Sequence, residues 1–227
     1  MRKIESSRLR LELVKTEPVP VIGAQHPDAQ DIPAGFEAGT TVKVAIHGQT
    51  AYHMVTTTME TIGKTRWAHM RTEHWVSTDG NTWRRHKILF RPGTNPETGM
   101  WELTGSPFFF FDETEDRWFV YFNFLAYDRV RSWGTPTLLR RAGAKTKGVA
   151  GINGEFEYPG EIVAPSGIAH PTDAAASSIS PPFQAADGNW YAFLGGGPKP
   201  FNATSGKWWV LIVKATSPAG PFIYMPE

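Results

Sequence analysis

An all-β fold assembled from repeated four-stranded sheets is what this sequence predicts, and three observations carry the prediction. Aromatic residues make up 13% of the 227 positions, beside 22 Gly and 18 Pro. Short aromatic and β-branched runs punctuated by turn formers belong to sandwiches, barrels or propellers. A strand–turn–strand pattern then recurs three times along the chain. Finally, helical periodicity is scarce: the best candidate, Glu5–Lys15, carries Leu9, Leu11 and Leu13 at the two-residue spacing of a strand.

The first hairpin runs Thr41–Ile46, a turn at His47-Gly48-Gln49, then Ala51–Val55. The second is Pro107–Phe111, a turn at Asp112–Asp116 and Arg117–Phe122, and the third is Pro181–Gln184, a turn at Ala186-Asp187-Gly188 and Asn189–Leu194. Tyr52, Trp118 and Tyr191 take matching places. Asp79, Asp112, Asp116 and Asp187 read as turn residues, because a short carboxylate can hold the backbone N–H groups that follow it.

Each hairpin is followed by a later turn and strand. Glu73–Trp83 reads as strand, polar turn and next strand, continued by Arg84–Phe90. Trp208–Lys214 and Ala215–Phe222 repeat this in the third unit, while the second holds Leu138–Arg141 and a Gly-rich insert to Phe156. Four strands per unit at a period of about 70 residues describe β-propeller blades with decorated loops. An irregular β-sandwich is the competing architecture.

Composition narrows the function. Twenty-three basic residues against 22 acidic leave a net charge of +1, which argues against nucleic acid or an anionic membrane as main partner. No apolar run reaches the roughly 18 residues of a membrane helix. No apolar signal stretch follows the charged start Met1–Arg8, so the expectation is a cytoplasmic protein, although a secreted one stripped of its leader would read alike. Disulfides and thiolate chemistry are excluded by the lack of Cys. No transition-metal spacing surrounds the seven His, so no cofactor is expected; a central Ca2+ or similar ion has no motif behind it.

The turn Ser77-Thr78-Asp79-Gly80-Asn81-Thr82-Trp83 resembles the S-x-D-G-x-x-W turn of carbohydrate-active five-bladed propellers. Ala215–Phe222 is similar to the A-T-S-x-x-G-P-F turn of glycoside hydrolase family 43, and Asp187-Gly188-Asn189-Trp190-Tyr191 fits the same arabinanase- and fructosidase-like superfamily. The resemblance implies a five-bladed β-propeller of which this chain supplies about three blades, near 36–100, 101–165 and 166–227. Residues 1–35 are then an N-terminal extension or strand able to close the ring. A three-blade arc leaves the outer sides of its first and last sheets uncovered. A truncated chain, a homo-oligomer or a companion chain completing the propeller would each account for that.

The same resemblance implies carboxylate acid/base chemistry on an oligosaccharide, with an aspartate base, an orienting aspartate and a glutamate acid where the innermost strands begin at the axis. Phe36-Glu37-Ala38-Gly39 precedes the first inner strand and Met100-Trp101-Glu102-Leu103 the second. Glu37 and Glu102 are therefore the leading catalytic candidates, with Phe36 and Trp101 placed to contact sugar. In the third unit, Ile179-Ser180-Pro181-Pro182-Phe183 resembles the I-D-P-x-F segment with Ser180 in the aspartate's place, and Asp173 is the nearest carboxylate able to compensate. Trp67, His69, Arg71, Glu73 and Trp75 alternate onto one strand face, so a buried polar stripe is expected there, satisfied by an ion network between blades or by substrate. His53 and His170 could line the axis. The run Gly195–Gly197 opens no helix and is not a phosphate loop; it is expected to frame the ligand side of the third blade. A glycosidase is thus the first expectation, and an inverting phosphorylase a lesser enzymatic one. A non-catalytic sugar-binding propeller and a partner-completed ring are the alternatives.

Overall fold

A computed structural model of the chain describes residues 22–23, 25–33, 35–60, 69–127, 138–164, 175–197 and 209–225. The Glu5–Lys15 segment lies outside them. Three antiparallel sheets follow one another along the chain. Blade one contains β1 (Phe36–Ile46), β2 (Gln49–Met59), β3 (Met70–Ser77) and β4 (Trp83–Phe90), in that spatial order. Blade two runs β5 (Gly93–Thr94), β6 (Trp101–Asp112), β7 (Arg117–Tyr127), β8 (Leu138–Gly143) and β9 (Glu161–Ala164). Blade three runs β10 (Ala175–Ile179), β12 (Trp190–Gly197), β13 (Trp209–Ala215) and β14 (Ile223–Tyr224), with β11 (Phe183–Gln184) also paired to β12. The fold is a β-propeller of which this chain forms about three blades.

Local chemistry sets the turns. His47 and Gly48 both take positive φ, 50° and 77°, the two-residue geometry whose twist matches the flanking strands. Asp79 Oδ1 accepts the N–H groups of Asn81 (2.8 Å) and Thr82 (2.7 Å), while Ser77 Oγ accepts from Gly80 N at 2.9 Å. Asp112 Oδ1 accepts from Thr114 N at 2.9 Å, and Asp187 Oδ1 from Asn189 N at 3.0 Å. These carboxylates are turn formers, as their neighbours in sequence predict.

The core lies between blades, as stacked sheets require. β7 is buried on both sides: Trp118, Val120, Phe122 and Phe124 face blade one with Val44, Val55 and Phe90. Phe119 and Tyr121 face blade three with Ala192, Leu194, Val213 and Phe222. Phe108 stacks on Tyr121 at 4.9 Å, and the Tyr121 hydroxyl donates to Pro218 O at 2.6 Å. The insert between β8 and β9 carries a 3-10 helix, Val149–Asn153. It clasps blade one, with Lys87 Nζ donating to Asn153 O at 2.6 Å and Gly154 O at 2.7 Å.

Four expectations are corrected. The inner strands begin earlier than the hairpin pattern implies, so Glu37 and Trp101-Glu102 are strand residues rather than upstream loops. Trp190 is the counterpart of Trp118, because both point toward the preceding blade, whereas Tyr191 points the other way. Gly195–Gly197 belongs to β12. The far side of blade one is not bare: residues 22–33, with a short 3-10 helix at Pro27–Ala29, lay Ala29 and Ile32 against Trp75 and Trp83.

Candidate active site at the starts of the inner strands

Cross-strand register fixes where Glu37 points. Glu37 pairs with Thr57, and directly opposed residues project from the same side of a sheet. The Thr57 hydroxyl accepts from Ser106 N of blade two at 2.9 Å, so that side is the one facing blade two. Phe36 pairs with Thr58, which contacts Arg71, and projects the opposite way to meet Trp75 at 5.6 Å. A β-bulge at Ala38 separates Glu37 from Gly39. Gly39 has φ 155°, and a Cβ there would overlap Val55 O and Thr56, so glycine is required for the close approach.

Glu102 projects toward blade one. Its Oε1 accepts from Asn95 Nδ2 at 2.6 Å and its Oε2 from the Tyr158 hydroxyl at 3.3 Å. The Tyr158 ring lies near Phe90 (5.2 Å) and Phe122 (6.5 Å) in the layer between the two blades. Burial, reinforced by Glu102, raises the Tyr158 pKa well above that of a free phenol, keeping the hydroxyl a donor. Two residues along, Thr104 Oγ1 and Thr72 Oγ1 are 2.7 Å apart. Thr72 pairs with Thr57, itself paired with Glu37. Glu37 and Glu102 therefore occupy the same end of adjacent blades, on the surfaces that face each other. Trp101 starts β6 next to Glu102 in the chain and meets the His69 ring at 6.0 Å.

Arg71, Glu73 and Trp75 do share one strand face, but that face turns away from blade two, toward residues 22–33. Arg71 is 2% exposed and Glu73 0%. Arg71 Nε donates to Glu73 at 2.5 Å and to Thr58 at 3.2 Å, its Nη1 to Glu60, and its Nη2 to Asp31 at 2.8 Å. Trp75 Nε1 donates to the second Glu73 oxygen at 2.9 Å. Arg85 reaches Asp31 at 2.8 Å and Glu73 at 3.2 Å. Hydrogen bonding from Arg85, with Arg71 behind it, holds the Asp31 carboxyl well below its ordinary pKa despite some desolvation. The stripe is an ion network between blade one and the N-terminal segment, and the expectation of a layer between blades is corrected.

His53 lies inside the blade one–blade two layer, with Nδ1 2.9 Å from His74 Nε2. His74 meets His86 at 4.9 Å and Phe109 at 5.0 Å. His53 Nε2 and His74 Nδ1 are buried with no hydrogen-bond partner. Burial, with His86 adding repulsion, pushes the His53 pKa down to about 4. Burial and the neighbouring His53, His86 and Lys87 push His74 down strongly as well. Ser180 is knitted into the break between β10 and β11: its Oγ accepts from Phe193 N at 2.9 Å and donates to Pro181 O at 3.1 Å. Trp67, His170 and Asp173 lie outside the described residues. Among the described residues, no three His, Asp or Glu side chains converge as a metal-ligand set.

Reasoning from sequence missed Asn95, Tyr158, Glu60 and His74. Asn95 carried a signal, since Asn-Pro before a strand marks a turn whose side chain stays near the strand start. Tyr158 carried none, because a long insert separates it from Glu102.

No protein-family model matches the chain. No curated protein matches it either. Solved structures do resemble it: a family 117 glycoside hydrolase produced by the marine bacterium Zobellia galactanivorans has a TM-score of 0.59 at 15% identity, covering 85% of this chain and 56% of that one. The endo-1,5-alpha-L-arabinanase of Thermotoga petrophila gives 0.54 at 13% identity, covering 93% and 47%. An exo-beta-1,3-galactanase of Clostridium thermocellum gives 0.51 at 12%, covering 83% and 36%. The chain spans about half the length of the first of these structures. At such identities the likeness is one of fold: a β-propeller of the kind on which glycoside hydrolases are built.

Proposed function

We propose that this chain is a glycosidase-like protein of the arabinanase/fructosidase type, similar to family 43, that hydrolyses an oligosaccharide with Glu37 and Glu102 as its leading carboxylates. The supporting observation is their placement: same end, adjacent blades, facing surfaces. Hydrolysis needs one carboxyl group to protonate the departing glycosidic oxygen as its bond to the anomeric carbon breaks. The other removes a proton from the incoming water or bonds the anomeric carbon itself. Glu37, at the start of the first inner strand, and Glu102, whose two oxygens accept from Asn95 and Tyr158, are the two carboxyl groups of this reading. Trp101 offers a face for a sugar ring. Asp173 is the third carboxylate of the reading, and Trp67 and His170 are its further sugar contacts. The proposal further divides the chain into an extension, 1–35, and blades near 36–100, 101–165 and 166–227.

Aryl glycosides and arabino- or fructo-oligosaccharides are the substrates to assay. Glu37→Gln or Glu102→Gln is expected to lower kcat by about 10²–10⁴-fold while leaving sugar binding in place. Turnover unchanged in both variants would overturn the assignment. A non-catalytic sugar-binding propeller is the second reading, favoured by Ser180 bonded into its own sheet. Calorimetric sugar binding with no turnover by the unaltered chain would select it.

A further inference from the structure

The outward face of blade three carries a cluster of exposed apolar side chains. Phe183, Phe193, Val210, Ile212 and Ile223 stand exposed, Phe193 at 46% and Val210 at 69%. Register places them on one surface: Phe183 opposite Tyr191, Phe193 opposite Ile212, Val210 opposite Gly195, and Ile223 opposite Lys214. Single apolar residues are ordinary at a surface, but a contiguous patch marks an interaction site.

This face continues the packing between blades. Trp118 and Trp190 both point back to the preceding blade, so Tyr191 and Phe193 hold the places that Phe119 and Tyr121 hold on blade two. Those two blade-two rings are buried by blade three. Their counterparts have the chemistry of an interior layer.

We infer that this face is a self-association surface, covered by blade three of a second copy across a two-fold axis. Head-to-tail stacking of copies would need the far face of blade one, and that face is occupied by Ala29, Ile32 and the Arg71 ion network. Face-to-face pairing avoids this obstacle. The patch also has two unequal halves, a bulky one at Phe183, Tyr191 and Phe193 and a low one where Gly195 lies opposite Val210. A two-fold sets the rings of each copy over the glycine of the other, which is the self-complementarity such a contact demands. A polar margin borders it, where the Tyr191 hydroxyl donates to Asp187 at 2.8 Å and Lys214 lies 3.7 Å from the same carboxylate. An apolar centre with a polar rim is the anatomy of a protein interface.

Light scattering and sedimentation of the full chain at micromolar concentrations should give the mass of two chains, diluting to one. Phe193→Glu and Ile212→Lys, both at exposed positions, should each weaken association at least about tenfold with an unchanged circular dichroism spectrum. A chain that stays monomeric, an open series of larger species, or dimers indifferent to both variants would overturn the inference. Should the variants fail to fold, hydrogen exchange of the unaltered chain decides. Protection over 190–197 and 210–214 must rise with concentration, and exchange independent of concentration would equally overturn it.

Discussion

The two end faces of the arc solve the same problem in opposite ways. Blade one turns a polar face outward, with Arg71 and Glu73 buried on it, and covers it with residues 22–33 from its own chain. Blade three turns out Phe193, Ile212 and Ile223, and no described segment of its own chain covers them. A charged face needs partners fixed in place, because buried charge without hydrogen bonds is costly. A cover tethered in the same chain supplies them. An apolar face asks only for area, and any complementary sheet can provide it. The difference separates a permanent closure from an exchangeable one.

Removing one member of the ion network should have the largest effect. Glu73→Ala leaves Arg71 without its fully buried carboxylate partner and Trp75 Nε1 without its acceptor, at a cost of about 3–5 kcal/mol in denaturant unfolding. A loss under about 1 kcal/mol would mean that Asp31 and Glu60 neutralise Arg71 unaided. Next comes the cover itself. Ile32→Ala should cost about 2–4 kcal/mol, since Ile32 is 5% exposed against Trp75. An equal loss on deleting residues 1–33 would show that the segment acts as one unit.

Acid separates the layers in turn. His53 and His74 have pKa values lowered on folding, so the unfolded chain binds more protons than the folded one as pH falls below 6.5. Stability is therefore full above pH 6.5 and declines as pH falls toward 4, by roughly 5–10 °C in Tm. The Asp31 pKa is lowered too, so its contribution has the same sign, is full above 3.8 and is lost only in stronger acid. Melting curves of His74→Gln should show a shallower upper limb, the remainder being that of His53, and keep the lower one. Blade three gives the smallest effect: at dilutions where the chain is single, Ile212→Thr should change stability by no more than about 0.5 kcal/mol. Val213→Ala, one residue along but facing blade two, should cost about 1–3 kcal/mol.

What could be read from sequence follows how far each residue's partner lies along the chain. Asp79 and Asp187 hold N–H groups two or three residues away, so their turns are legible. The unbroken apolar run Trp118–Phe122 announces a strand covered on both sides, and β7 is that strand. The alternation of Arg71, Glu73 and Trp75 shows that partners are needed, yet Asp31 lies 40 residues upstream in a stretch with no strand pattern. The direction in which Glu37 points was equally hidden, because it depends on one extra residue that no local propensity marks.

That extra residue is Ala38. Were it instead drawn into the ladder opposite Thr57, β1 would alternate undisturbed, and every side chain before it would swap sides. Glu37 would then swing round to the Arg71 side of the sheet, and Phe36 would take its place opposite blade two. Flattening a single bulged residue would thus relocate an acidic group across the thickness of a sheet without altering the composition at all, whereas deleting that residue would leave Glu37 opposite Thr57. In this architecture which residues ahead of the glycine join the ladder, as much as their identity, decides what the start of the inner strand presents.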